Sequence, residues 1–242
     1  MSIDYSRWAE RYEHELDRAV DFIGLPHEFF TRAKADELLG LVRKHLGPPQ
    51  DLDALDAGCG IGLTDRFLVD SFGALTGTDL SPEAVAAAAA RNPGVRYEVA
   101  AEDRLPFPDE SFDVSFTICV LQTIEPVHRA GFVDELARVT RPGGLVIAFE
   151  HNPWHPLTRL AVRRTELGSG VSMLSSAGLV ALLAGGGLAV LDRGHILALP
   201  SRRKPVLAAE RILRRIPVGA QHYAATRRKA PPSYTPAVVS GT

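Results

Sequence analysis

At 242 residues, 45% of them hydrophobic and 23% charged, the chain has the length and apolar content of one α/β domain with additions. A net charge of −2 gives no global case for nucleic-acid binding, and no apolar run approaches the roughly 20 residues of a membrane helix. Cys59 and Cys119 are too few for a disulfide scaffold, and the start Met1-Ser2-Ile3-Asp4-Tyr5 lacks a signal peptide's charged start and apolar core, so a reducing cytoplasm is the expected setting.

Residues 4–23 read as an amphipathic helix, with Trp8, Tyr12, Leu16, Ala19 and Ile23 at three- and four-residue steps. Residues 27–46 make a second helix with Leu38, Leu41, Val42 and Leu46 inward, ended by Gly47-Pro48-Pro49. The stretch Leu55-Asp-Ala-Gly-Cys-Gly-Ile-Gly-Leu63 then has an apolar approach before it and a helix-compatible run, Thr64 to Phe72, after it. That is a strand, a glycine turn and a helix. Gly58, Gly60 and Gly62 let the backbone turn tightly and approach a ligand with no Cβ in the way. The next apolar run, Ala74 to Thr78, ends in Asp79, and an acid at a strand tip there can take both hydroxyls of a ribose. The competing reading is an ordinary turn whose acid caps the next helix, yet Ser81-Pro82 supplies a better cap.

A dinucleotide fingerprint reads G-x-G-x-x-G. Here the pattern is Asp56-x-Gly58-x-Gly60-x-Gly62, with an acid inside the strand end, and it resembles motif I of the class I S-adenosylmethionine (SAM)-dependent methyltransferases. In that family, N-terminal helices like 4–23 and 27–46 cover the cofactor and form part of the substrate pocket.

Downstream, Glu83 to Arg91 is a helix by propensity, with alanine from 86 to 90, and Val95 to Val99 is a third strand. The segment Glu102 to Asp113, with its Leu-Pro-Phe-Pro-Asp and Ser-Phe-Asp, resembles the family's acidic loop. The resemblance implies an adenine-binding acid there, either Glu102 or Asp103, with Asp103 favoured; a solvated loop charge is the alternative. Val114 to Val120 is nearly continuous in apolar character, as a strand buried on both faces should be. Relatives commonly carry His near Gln122, and its absence here weakens any base role at that point. A helix over 128–139, with Phe132, Leu136 and Val139 on one face, leads through Arg141-Pro142-Gly143-Gly144 into strand five, Leu145 to Phe149. This RPGG is another family feature.

Beyond His151, the prolines of 152–159 predict an irregular segment. A helix over 176–186, a strand Leu188 to Asp192, a basic helix over 204–215 and a last strand over 219–225 follow. From Arg193 to Lys229 there are ten Lys or Arg and one acid, Glu210. Arg211, Arg214 and Arg215 share a helical face, which is expected either to meet an anionic partner or to be simply solvated.

Successive β-then-α units argue for a parallel sheet covered on both faces, with a ligand crevice at the strands' carboxyl ends. Gly58 to Gly62, Asp79, Asp103, Ile118 and Glu150-His151 all fall at such ends. The resemblance runs from about residue 4 to 228, and the segments His151 to Arg159 and Gly219 to Tyr223 resemble one subset of the family. It implies a Rossmann-like, doubly wound, mostly parallel seven-stranded sheet with helices on both faces and an antiparallel last strand. Residues 1–228 are then one domain: 1–50 a helical cover, 51–150 the SAM-binding core, 151–228 the substrate-side elements and last strands. Residues 229–242, rich in Pro, Ser and Ala, are expected to be disordered.

The implied activity is methyl transfer from SAM to a small molecule, such as a secondary metabolite or a sugar- or lipid-linked intermediate, anionic ones included. The product is S-adenosylhomocysteine. No metal, nucleic acid or transmembrane segment is expected. Cofactor contacts are expected from Asp56, Gly58, Cys59, Gly60, Asp79, Leu80, Glu102, Asp103 and Ile118, and substrate contacts from Trp8, Tyr12, Gln122, Glu150 and Trp154. His151 is the candidate general base, since its ordinary pKa of about 6.5 suits proton removal near neutrality; the alternatives are that it only hydrogen-bonds in the proline loop that shapes the pocket, or that the acceptor needs no base. Glu150, His155 or a backbone carbonyl is expected to orient it. Two alternatives stand: a SAM-binding protein that uses the cofactor structurally, and a NAD-dependent oxidoreductase, which the glycine spacing disfavours.

Overall fold

The computed structural model describes residues 5–164, 171–199, 213–214 and 216–229, with backbone alone over 5–11. Nearly all of the expected basic helix and the expected disordered tail lie outside these residues.

Seven strands form one sheet: β1 (Asp53–Ala57), β2 (Ala74–Asp79), β3 (Arg96–Val99), β4 (Phe112–Ile118), β5 (Thr140–His151), β6 (Leu188–Ile196) and β7 (Gln221–Arg228). Their order is β3-β2-β1-β4-β5-β7-β6. β1 to β5 run parallel, whereas β7 lies antiparallel between β5 and β6. The chain leaves β1 toward β2 on one side and returns to β4 on the other. The carboxyl ends of β1 and β4 therefore flank a topological switch point, where a crevice opens.

Among the described residues, six α-helices cover the sheet: α1 (Tyr5–Val20), α2 (His27–His45), α3 (Pro82–Arg91), α4 (Arg129–Val139), α5 (Pro156–Arg163) and α6 (Ser176–Gly185). The central strands are buried on both faces, and the Leu145 to Phe149 run of β5 is accordingly apolar at every position rather than alternating. Successive β5 side chains still go to opposite sides. Leu145, Ile147 and Phe149 join the α2 residues Leu38 and Val42, and Tyr223, in one core. Val146 and Ala148 join Leu136 of α4 and Leu179 and Leu183 of α6 in the other. The same alternation sends Glu150 toward the α4–α6 side and His151 toward α2.

Several elements depart from expectation for identifiable reasons. The helix expected over Thr64 to Phe72 is a string of turns with one 3-10 turn, Asp65–Phe67. Its backbone hydrogen bonds close over three residues, Phe67 N to Thr64 O at 3.0 Å, Leu68 N to Asp65 O at 2.9 Å and Ser71 N to Leu68 O at 2.8 Å, the pattern of a 3-10 coil. The segment expected to be irregular contains α5. Pro156 stands at the first helical position, where its missing N–H is harmless, and the His155 side chain caps the helix by accepting from Thr158 N. Strand five begins at Thr140, so the RPGG residues lie within it, across a register shift opposite Phe112 and Val114. On α4 it is Val133, not Phe132, that is buried with Leu136 and Val139.

Candidate active site

A cavity of about 1420 Å³ opens at the carboxyl ends of the parallel strands, beneath α1, α2 and α5. The glycine turn forms part of its floor. Gly58 holds φ 84°, and a Cβ there would stand 2.4 Å from Val120 Cγ2. Gly60 holds φ 54°, and a Cβ there would meet nothing within 4 Å, so its backbone faces open space. Gly58 N and Cys59 N both donate to Thr78 O, at 2.7 and 3.0 Å, which ties the turn to the end of β2.

Asp79 completes that tie. Its Oδ2 accepts from Gly60 N at 2.9 Å and its Oδ1 from Ser81 N at 3.0 Å. The helix cap belongs to Ser81, whose Oγ accepts from Ala84 N at 3.1 Å. Each Asp79 oxygen keeps a lone pair beyond its one backbone donor, and the residue lines the cavity.

Asp56 is buried at 3% exposure with its Oδ1 unpartnered, and it too lines the cavity. Burial, then the neighbouring Asp65 carboxylate, raise Asp56 well above the usual carboxylate range. Asp65, fully buried and also raised by burial, to about 6, accepts hydrogen bonds from Asp56 and from Tyr97 Oη, the latter at 2.7 Å. Two buried carboxyls so close share a proton, because like charges resist joint ionisation. Asp65 belongs to no pattern that marks a ligand site. Its one sequence signal is an acid inside a run that must otherwise pack.

The other expected cofactor residues also reach this cavity. Cys59 lies in the turn, its thiol pushed upward chiefly by burial. Ile118 ends β4. Leu80, 55% exposed, and the exposed Glu102 and Asp103 stand at the rim. Both acids line the cavity, so the geometry selects neither.

His151 lines the α2 side of the cavity, and Gln122 orients it. Both side-chain amide atoms of Gln122 approach His151 Nδ1, Nε2 at 2.8 and Oε1 at 3.1 Å. With Oε1 accepting from Nδ1–H, the ring's Nε2 keeps its lone pair; Cys119 Sγ lies 3.8 Å from that Nε2. Burial, then the Lys34 ammonium, lower His151 to about 4, against the opposing pull of Glu150. The ordinary imidazole pKa expected from sequence therefore does not hold here. Lys34, on α2, also lines the cavity, and sequence reasoning missed it because no motif marks it.

The expected orienting partners are corrected. Glu150 is fully buried on the opposite side of β5, its Oε1 accepting from Leu121 N at 2.9 Å, and it neither orients His151 nor lines the cavity. His155 is occupied as the α5 cap. Tyr12, from α1, lines the cavity, its phenol pushed up to about 12 mainly by burial. Trp154 does not: it is 76% exposed, turned outward where its backbone N donates to Asn152 Oδ1. The side chain of Trp8 lies outside the described residues. Of the basic trio, Arg214 pairs with the buried Glu37 and is not a free cation, while Arg211 and Arg215 lie outside the described residues.

The family model described as "Methyltransferase domain" matches residues 55–148, from β1 into β5. A malonyl-[acyl-carrier protein] O-methyltransferase of Pectobacterium atrosepticum is 36% identical over 118 residues, 49% of this chain and 44% of that protein. The chain thus spans less than half the length of that relative. An uncharacterized methyltransferase of Synechocystis is 30% identical over 158 residues, 57% of this chain and 73% of that protein. Among solved structures, a SAM-dependent methyltransferase from Mesorhizobium loti superposes with a TM-score of 0.58 at 24% identity, over 78% of this chain and 96% of that one. With its fold, its glycine turn and these relatives together, the chain belongs to the class I S-adenosylmethionine-dependent methyltransferases.

Proposed function

We propose that the chain transfers a methyl group from SAM to a small, largely apolar acceptor, and that His151 takes the acceptor's proton. SAM supplies a methyl already activated on a sulfonium, so the protein's task is alignment, exclusion of water and proton removal. The glycine turn offers an approach for the cofactor, and the unpartnered Asp56 Oδ1 and the Asp79 lone pairs offer acceptors for its ammonium and ribose hydroxyls. Leu80, Ile118 and either Glu102 or Asp103 would border the adenine. Tyr12, Gln122 and apolar side chains such as Leu16 and Phe30 would wall the acceptor.

The observation that carries the reading is an imidazole oriented by Gln122 in the same cavity as the glycine turn and Asp79; burial and Lys34 hold it below its ordinary pKa. It is unprotonated at neutral pH and so able to accept a proton. Proton loss leaves the acceptor anionic, and the Lys34 ammonium stabilises that charge. An O–H or an acidic C–H is the group that needs such help.

Calorimetric titration with SAM and with NAD, followed by S-adenosylhomocysteine release on a panel of phenol, quinol and carboxylic-acid acceptors, tests the proposal. SAM is expected to bind and NAD not to. Turnover by His151→Gln should fall by about 10² to 10⁴ with SAM affinity unchanged. Near-normal kcat in that variant would remove the base role. SAM binding without product from any acceptor would favour a structural use of the cofactor.

A further inference from the structure

The outer face of α5 carries a surface outside the cofactor and acceptor contacts described above. Trp154, Leu157 and Leu160 are 76%, 41% and 44% exposed within one turn and the helix after it. Large side chains of this kind are ordinarily scattered singly on a surface, and a contiguous set marks a contact. At about 100° per residue, Leu157 and Leu160 share one flank of the outward face and Arg159 and Arg163 the other. Thr158, buried, and Ala161 point inward to the cavity.

The charge on this face has one sign. The helix sequence PLTRLAVR contains no acid. Among the described residues, neither the Arg159 nor the Arg163 guanidinium forms an ion pair, whereas Arg164 is held by Asp21 at 2.8 Å. The apolar area also extends past the helix. Asn152 Nδ2 donates to Pro217 O at 3.2 Å and Gly219 O at 2.8 Å, which sets the exposed Ile216 and Val218 beside the Trp154 turn. Leu157 and Val127, the latter 76% exposed, both line the cavity, so the patch runs into its mouth.

We propose that this face of α5, with Trp154, docks on an anionic lipid surface. An indole with leucines on one flank and exposed arginines on the other is what a helix lying in a bilayer interface requires. The apolar groups enter the acyl boundary and the guanidinium heads stay among the phosphates. The cavity mouth then faces the bilayer, and an apolar acceptor passes from lipid to cavity along Leu157. The docking stands whether or not methyl transfer does, since it is read from binding alone.

The test uses the full chain with Trp8→Phe, which leaves Trp154 as the sole tryptophan of the two. Vesicles of phosphatidylglycerol and phosphatidylcholine, and vesicles of phosphatidylcholine alone, are the probes. Trp154 emission should shift to the blue, and the protein should sediment, with the anionic vesicles at low salt. Arg159→Gln with Arg163→Gln should weaken that binding about thirtyfold, the effect of two cations near a charged surface. Leu157→Ser with Leu160→Ser should abolish the blue shift without changing the melting temperature. The proposal fails if neither vesicle shifts Trp154, or if both bind alike and the arginine variant binds as well as the parent. It fails equally if Trp154 is quenched from solvent only by self-association, or if an acidic carrier protein binds this face and vesicles do not.

Discussion

Burial and the Lys34 ammonium bring the His151 imidazole down to about 4, and Glu150 pulls weakly the other way. The two main causes are separable by experiment. Lys34→Met removes a charge and leaves the burial, so the midpoint of the His151 ring titration, followed by proton NMR, should move up. It should stop short of the ordinary value near 6.5, because burial is the larger cause. An unmoved midpoint would mean that the ammonium is screened by solvent in the cavity. Under the proposed mechanism the same variant should also lose turnover, since the acceptor's developing anion loses a cation that lines the cavity. A rise in the pKa of the base does not compensate for that loss.

At the scale of elements, Asp79 joins three of them. It holds the glycine turn after β1 through Gly60 N and the start of α3 through Ser81 N, and it stands at the end of β2. Asp79→Ala should therefore loosen the turn as well as remove an acceptor of ribose hydroxyls. Hydrogen bonds to a charged group contribute about 1.5–3 kcal/mol, so SAM affinity measured by calorimetry should fall by roughly tenfold to a hundredfold. Unchanged affinity would reduce Asp79 to a structural tie. The turn, Asp79 and the Ser81 cap were legible in the sequence because each is a local signal, a glycine pattern or a cap placed next to an apolar run. Where a residue's environment comes from elsewhere in the chain, sequence was mute. Pro156 as a helix start depended on a His155 cap that only the folded turn provides. The Asp56–Asp65 pair depended on a 3-10 coil that turns Asp65 back beneath β1. The orienting of His151 by Gln122 joins the ends of two neighbouring strands. Strand parity sends Glu150 and His151 to opposite sides of β5, which is why the expected roles of Glu150 in orienting the ring and meeting the substrate fail.

Across the whole molecule, the buried ionisable groups set how stability follows pH, and Glu150 can be isolated among them. It is fully buried, with Oε2 unpartnered and its pKa pushed up to about 8, first by burial. His222 stands directly opposite on β7, fully buried with neither ring nitrogen hydrogen-bonded, and burial holds it to about 4. Between about pH 4 and 6.5, unfolding lets His151 and His222 take up protons that the native state refuses, which makes stability rise with pH. Over much of that range Asp65, raised to about 6, and Glu150 keep protons that the unfolded chain releases, which opposes the rise. From about 6.5 to 8 the unfolded imidazoles shed their remaining protons, and their contribution fades. Glu150 is still protonated when native and ionised when unfolded, so its own contribution to stability falls as pH rises, by about 1.4 kcal/mol per unit for one proton. Glu150→Gln keeps an oxygen to accept from Leu121 N and removes the titration, so its denaturant unfolding free energy should decline less steeply over this window, by about that one-proton amount. Equal slopes for the two proteins would show that Glu150 is ionised in the native state, with its charge met by a group other than the Leu121 amide.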